Sequence, residues 1–269
     1  MKPNAFNYAR PATVERAASL LAESGFAKVL AGGQSLGPML NLRLARPDLL
    51  VDLTHIASLK QAVETKDAVE IGACVTHANI EDGLVPDVTN GMLPSVASNI
   101  AYRAVRNRGT IGGSLSHADP AADWVSTLTA LDAEIVIRGG KGQRRLSMAA
   151  YMRGTFDVAL EEGEFLEMVR VPKLSKSARW GYYKFCRKAG EFAEAIGVVV
   201  RDPERGVCRA VMGATHSTPI LVADATNLLG NGFDAAGAEA LLDSHEVTDA
   251  YERQLHVEAL RRAHVQAGV

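Results

Sequence analysis

The sequence is poor in the residues that build metal and cluster sites. It has three cysteines among 269 residues, Cys74, Cys186 and Cys208, far apart and odd in number. No CxxC pair occurs, so this chain's thiols cannot by themselves form a zinc ribbon or an iron–sulfur cluster. They read as reduced, mostly buried thiols. Seven histidines are scattered without an HExxH helix, and His256 and His264 fall on a terminal helix with no carboxylate arrangement that demands a metal. No metal is expected. Charge of one sign is also missing: the net charge of -2 offers no field that would gather nucleic acid or an anionic membrane. No apolar run is long enough to cross a bilayer, and the opening MKPNAFNYARPATVER lacks the apolar core of a signal peptide. There is no internal repeat, no low-complexity tract and no convincing nucleophile–base pair. A soluble cytoplasmic protein is expected.

What is present is an ordinary globular composition, 47% hydrophobic and 22% charged, in a chain long enough for one large domain or two modest ones. Val14, Ala17, Ala18 and Leu21 recur at helical spacing and predict a helix from about Thr13 to Ser24, with Gly25 as a left-handed stop. Lys28–Ala31 reads as a short buried strand, Pro38–Ala45 as a helix ended by Pro47, and Leu49–Leu53 as a second strand. Val69–Ala73 alternates as a strand, Thr76 can cap a short helix, and Leu93–Ala101 reads as another helix. Asp123–Leu131 is predicted helical, and Glu134–Ile137 and Phe165–Val171 are predicted strands. Lys173–Ala178 is polar and linker-like. Beyond it, Tyr182–Cys186, Ile196–Arg201 and Val207–Gly213 predict three antiparallel strands, and the chain from Ala223 onward reads as helical. The expected division is 1–175, with subdomains of about 1–55 and 56–175, followed by 176–269.

Two glycine-rich loops carry the chemistry. Ala31-Gly-Gly-Gln-Ser-Leu36 follows a strand and precedes a helix. Glycines admit close approach of a ligand to the backbone, and successive amides with a helix N-terminus suit phosphate oxygens. A plain strand-to-helix turn explains one such loop equally well. Gly109-Thr-Ile-Gly-Gly-Ser114 repeats the pattern, and two amide-rich loops suit a pyrophosphate held from both sides. Asp119 and Asp123 follow at once and can either accept hydrogen bonds from a cofactor or cap the next helix. A Rossmann reading would use Asp52 for a ribose. Gln34, however, stands where GxGxxG has its middle glycine, and the second loop would be left unexplained.

Four segments together resemble a known family: Leu30–Leu36, Leu42–Leu53, Arg106–Asp123 and Tyr183–Phe192. They are similar to the FAD-binding medium subunits of the molybdenum hydroxylases, which include carbon monoxide, xanthine, nicotine and caffeine dehydrogenases. The resemblance covers nearly the whole chain. It implies an α+β fold, the vanillyl-oxidase-like (PCMH-type) FAD-binding domain of two α+β subdomains, plus a C-terminal domain with a three-stranded antiparallel sheet and helices. It implies pyrophosphate loops at Ala31, Gly32, Gly33, Gln34, Ser35 and Leu36, after Leu30, and at Thr110, Ile111, Gly112, Gly113 and Ser114. Asp123 matches an acid that contacts the cofactor, Leu166 an apolar contact and Lys184 a residue near the flavin. Ala101, Tyr102, His117, Ala118 and Asp119 complete the implied contact set. Two residues depart from the pattern. Tyr102 stands where many relatives have histidine, and Phe192 where some place a tyrosine or tryptophan near the isoalloxazine ring.

The implied partners are a large molybdopterin-binding subunit and a small [2Fe–2S] subunit, in a dimer of heterotrimers. The implied role is passage of electrons from the clusters to FAD and on to NAD+, a quinone or another acceptor. A self-contained flavin oxidase of the same superfold and a non-enzymatic nucleotide-binding module are the competing readings.

Overall fold

The computed structural model describes residues 1–230 and 232–268. It opens on a small parallel sheet in the order β1–β3–β2, made of β1 (Asn7–Ala9), β2 (Ala27–Leu30) and β3 (Leu49–Asp52). The helix Val14–Glu23 crosses over from β1, begun by Thr13, whose hydroxyl accepts from the Arg16 amide. It buries Val14, Ala17, Ala18 and Leu21, the residues whose spacing predicts it. The expected left-handed stop at Gly25 is not used; the helix ends because Ser24 turns extended. The next helix runs Leu36–Asn41, earlier than the predicted Pro38–Ala45. Its chain is broken at Arg43, which takes a left-handed φ of 58°, before Pro47 can act.

The middle of the chain forms β4 (Ala62–Glu64), β5 (Ala68–Gly72), β6 (Glu134–Gly139), β7 (Gly142–Ser147), a short hairpin of β8 (Met152–Gly154) and β9 (Asp157–Val158), and β10 (Phe165–Pro172). These give an antiparallel five-stranded sheet, β4–β5–β10–β6–β7, with β8 and β9 paired separately. The central strand β10 carries a bulge between Leu166 and Met168. The helices Met92–Ser98, Ile111–His117 and Asp123–Ala130 bury their apolar residues in the same hydrophobic cluster as this sheet. All eight residues of the helix Asp123–Ala130 are buried, because it also packs against the sheet that follows.

The last part holds four strands rather than the expected three: β11 (Arg179–Phe185), β12 (Ala195–Asp202), β13 (Val207–Gly213) and β14 (Ile220–Val222), antiparallel in that order. The extra strand is only three residues long, too short to show a period. The helical tail resolves into Thr226–Leu229, Ala235–Ser244 and Ala250–Gln266. The polar segment read as a linker is pinned: the Ser175 amide and hydroxyl both donate to the buried Asp202, and the Leu174 amide to the Val88 carbonyl. One hydrophobic cluster runs from the five-stranded sheet through Trp124 and Leu128 to Ile196 and Val211. No described helix is long and apolar enough to cross a membrane.

Candidate functional site

A cleft of about 720 Å³ lies where the three sheets approach one another. That is toward the upper end of the range for small-molecule and cofactor sites. Its lining includes both glycine-rich loops, Phe165 and Leu166 of β10, the segment 156–164, Lys184 of β11 and the loop residues Gly190–Phe192.

The first loop is built as a donor surface. Among the described residues, no protein acceptor receives the amides of Gly32, Gly33, Gln34, Ser35 or Leu36. Gly33 has a φ of 72°, which turns the chain ahead of the helix Leu36–Asn41. Gly32 is required by packing. A Cβ there would lie 2.6 Å from the Arg108 carbonyl carbon and 2.9 Å from the Gly109 Cα, so the two loops meet backbone to backbone.

The second loop is bonded differently from the first. Ile111 donates to the Val75 carbonyl at 3.1 Å, Gly112 to the Ala73 carbonyl at 3.0 Å, Gly113 to the Thr110 hydroxyl at 3.0 Å and Ser114 to the Thr110 carbonyl at 3.0 Å. The Ile111 and Gly112 amides dock the helix Ile111–His117 onto residues 73–75 and those of Gly113 and Ser114 are capped by Thr110, while the Thr110 amide has no protein acceptor among the described residues. Thr110, Gly112, Gly113 and Ser114 line the cleft.

Asp123 and Lys184 meet across the two halves of the chain. Lys184 Nζ donates to both Asp123 oxygens at 3.1 Å and to the Asn99 carbonyl at 3.3 Å, and the Tyr182 hydroxyl donates to Asp123 Oδ1 at 2.6 Å. Burial pushes the Asp123 carboxyl above the ordinary range, against the pull of the Lys184 charge and the Tyr182 hydroxyl. Asp123 is the first residue of its helix and makes no capping bond, whereas Asp119 accepts from the Ala121 amide at 2.9 Å and closes the preceding turn.

Several expected residues fall outside the cleft lining. Ile111 is fully buried in the core, and Ala118, at a φ of 52°, uses its carbonyl to hold the Phe156 amide. Leu30 packs under the turn beside Gly33. Tyr102 is 62% exposed and stands against Gly190. Ala101, His117 and Phe192 do line the cleft; His117 packs on Phe156 with ring centroids 5.0 Å apart. Asp52 is an ordinary strand-end residue that accepts from Tyr8 and caps the turn at Thr54.

Two residues in the lining carry no sequence signal. Cys74 is a buried thiol pushed up to about 12 by burial, so it stays protonated. His77 is buried and accepts at Nδ1 from the Trp124 indole at 3.0 Å; burial and the Arg106 charge push it down to about 4. The Thr76 cap foretold the helix His77–Glu81, but nothing local says that its first residue faces a cleft.

Residues 4–174 match the family described as "FAD binding domain in molybdopterin dehydrogenase". The chain belongs to the FAD-binding medium-subunit family of the molybdenum hydroxylases. FAD is the cofactor of this family of oxidoreductases. Among its relatives is the 6-hydroxypseudooxynicotine dehydrogenase complex subunit alpha of Paenarthrobacter nicotinovorans, 35% identical over 93% of this chain and 83% of that protein. The nicotine 6-hydroxylase medium subunit of the same organism is 32% identical over 100% of this chain and 99% of that one. Among solved structures, carbon monoxide dehydrogenase from Hydrogenophaga pseudoflava superposes with a TM-score of 0.88 at 32% identity, covering 99% of this chain and 98% of that one. A dinucleotide fits the FAD-family cleft on physical grounds: unclaimed amides at Gly32–Leu36 and sufficient volume.

Proposed function

We propose that this chain is the electron-relay subunit of a molybdenum hydroxylase complex. It takes electrons from [2Fe–2S] clusters on a small partner, fed by a molybdopterin-bearing large partner, and delivers them to an acceptor such as NAD+ or a quinone. The assembly is a dimer of heterotrimers in the cytoplasm. The observation that carries the reading is the run of unclaimed amides at Gly32–Leu36 on a cleft of cofactor size, in a chain whose relatives are named as dehydrogenase subunits.

When bound, FAD supplies the redox chemistry, because it exchanges electrons singly or in pairs. The protein's share is binding and orientation. The Gly32–Leu36 amides would hold the pyrophosphate oxygens with donors already in place, so little ordering cost would remain. Gly33 keeps that surface open, since a side chain at a φ of 72° is strained. Leu166 and Phe192 would offer apolar surface to the ring, while Asp123 and Lys184 place a bonded polar pair in the lining. Cys74 and His77, one held as a thiol and the other neutral, add no charge to the cleft.

Purification of the native complex tests the assignment. Flavin, iron and molybdenum are expected in one peak with this chain, and NADH is expected to bleach the flavin absorbance of the isolated holo-chain anaerobically if NAD+ is the acceptor. A chain that elutes alone and reduces its own flavin with a small organic substrate would favour the self-contained oxidase.

A further inference from the structure

We propose that Phe156 is a stacking residue for a flat conjugated ring in the cleft: the isoalloxazine of FAD, or a planar electron acceptor that comes to it. This deepens the reading of the cleft as the FAD site and rests on it.

The backbone at Phe156 is one that a bulky side chain avoids. Thr155 and Phe156 form the two-residue turn between β8 and β9, and Phe156 takes a φ of 58°. Left-handed turn positions favour glycine and asparagine, and a bulky residue there is an outlier. Burial does not offset the strain, because the residue is 59% exposed. Such residues persist where their surroundings over-determine them, and they cluster at ligand sites.

The surroundings of Phe156 do over-determine it. Its amide donates to the Ala118 carbonyl at 2.9 Å, and Ala118 is itself left-handed, at a φ of 52°, where the helix Ile111–His117 ends. The Thr155 hydroxyl donates to the His216 carbonyl, in the loop between β13 and β14. The turn is thus tied both to the helix of the second glycine loop and to the C-terminal sheet. The result is an aromatic ring in the cleft lining, beside His117, with centroids 5.0 Å apart and planes tilted by 38°. His117 backs part of the ring and leaves the rest open. Phenylalanine has no donor or acceptor, so it recognises π surface and not the ribityl or phosphate parts of a dinucleotide.

The test uses the full chain for binding and the purified complex for electron transfer. Phe156→Asn introduces a side chain that tolerates the left-handed turn and removes the ring, while Phe156→Tyr keeps the ring. A residue present for packing loses stability when it is truncated; a strained ligand contact does not. Phe156→Asn should therefore unfold in urea at or above the parent's midpoint. It should also weaken ring binding by about 5- to 100-fold, the scale of one lost stacking contact, and Phe156→Tyr should match the parent in both respects. The ligand affected identifies the ring. If the isoalloxazine stacks there, FAD and riboflavin bind the stripped chain more weakly and ADP does not. If the acceptor stacks there, FAD affinity holds, and more menadione is needed to half-saturate reoxidation of the dithionite-reduced flavin. In that reaction two electrons and two protons pass to the quinone, giving the quinol. Reoxidation by ferricyanide, which has no ring, is then unchanged. Parent-like binding of FAD and response to menadione overturns the proposal, as does a loss shared by ADP or a urea midpoint below the parent's. Gly33→Val separates this from the reading beneath it. Should that variant lose FAD while Phe156→Asn keeps its response to FAD and menadione, only the role of Phe156 falls. Should Gly33→Val bind FAD like the parent, the cofactor is held elsewhere and both readings fall.

Discussion

The Asp123–Lys184 pair ties the cleft to the C-terminal sheet, and Lys184→Met makes its contribution measurable. The two side chains are 5% and 7% exposed, so neither is screened by solvent. Removing one partner of a buried pair leaves an uncompensated charge and costs roughly 3–5 kcal/mol. Asp123 retains only the Tyr182 hydroxyl, and its escape is to take up a proton. The carboxyl is already held above the ordinary range by burial, and without the ammonium it rises further. An acid whose folded pKa exceeds its unfolded value of about 3.9 binds more protons folded than unfolded in the interval between them. Stability therefore falls as pH rises through that interval, by up to about 1.4 kcal/mol per pH unit. Urea unfolding followed by tryptophan fluorescence at pH 5 and pH 8 should show Lys184→Met destabilised at both, and more so at pH 8. Adding Asp123→Asn should return part of the loss, with a coupling of about 1–3 kcal/mol. A Lys184→Met protein within about 0.5 kcal/mol of the parent at pH 8 and flat with pH would refute the reasoning.

Gly32→Ala places a methyl group against backbone atoms of Arg108 and Gly109, where no rotamer relieves it. It should cost at least about 1–3 kcal/mol and lower FAD occupancy, read as the ratio of flavin to protein absorbance. Gly37→Ala is the control on the same turn: nothing lies within 4 Å of its Cβ, so the helix should gain up to about 1 kcal/mol. Phe192 is 61% exposed, so Phe192→Ala should leave stability within about 0.5 kcal/mol. If its ring packs on the flavin, FAD affinity should fall severalfold, the scale of one aromatic contact, and unchanged affinity would place Phe192 off the ring.

Much of the fold was legible because its signals are local. Val14, Ala17, Ala18 and Leu21 repeat every three or four residues, so their helix and its buried face follow from spacing alone. The Thr13 and Thr76 caps work within three residues. The alternation of Val69 and Ile71 reports a strand wherever it ends up. Strands of two or three residues, such as β1, β9 and β14, have no room for a period and went unread. The stop after Glu23 and the break at Arg43 depend on backbone conformations that no residue type there announces.

At the site, local chemistry marked the two glycine loops, and composition showed that this chain has no thiol pair of its own for a cluster. It could not show that one loop keeps its amides free while the other spends all but that of Thr110. That depends on residues 73–75, some forty positions away, arriving alongside to accept them. Nor could it show that Asp123 answers to Lys184, sixty-one positions later, or that Trp124 fixes the proton on His77. Periodicity and capping act over one or two turns of chain, so the sequence by itself determines the elements and the loops able to approach a ligand. Hydrogen-bond supply and charge pairing act across a few ångströms of space, so only the tertiary structure decides which donors are left for the cofactor.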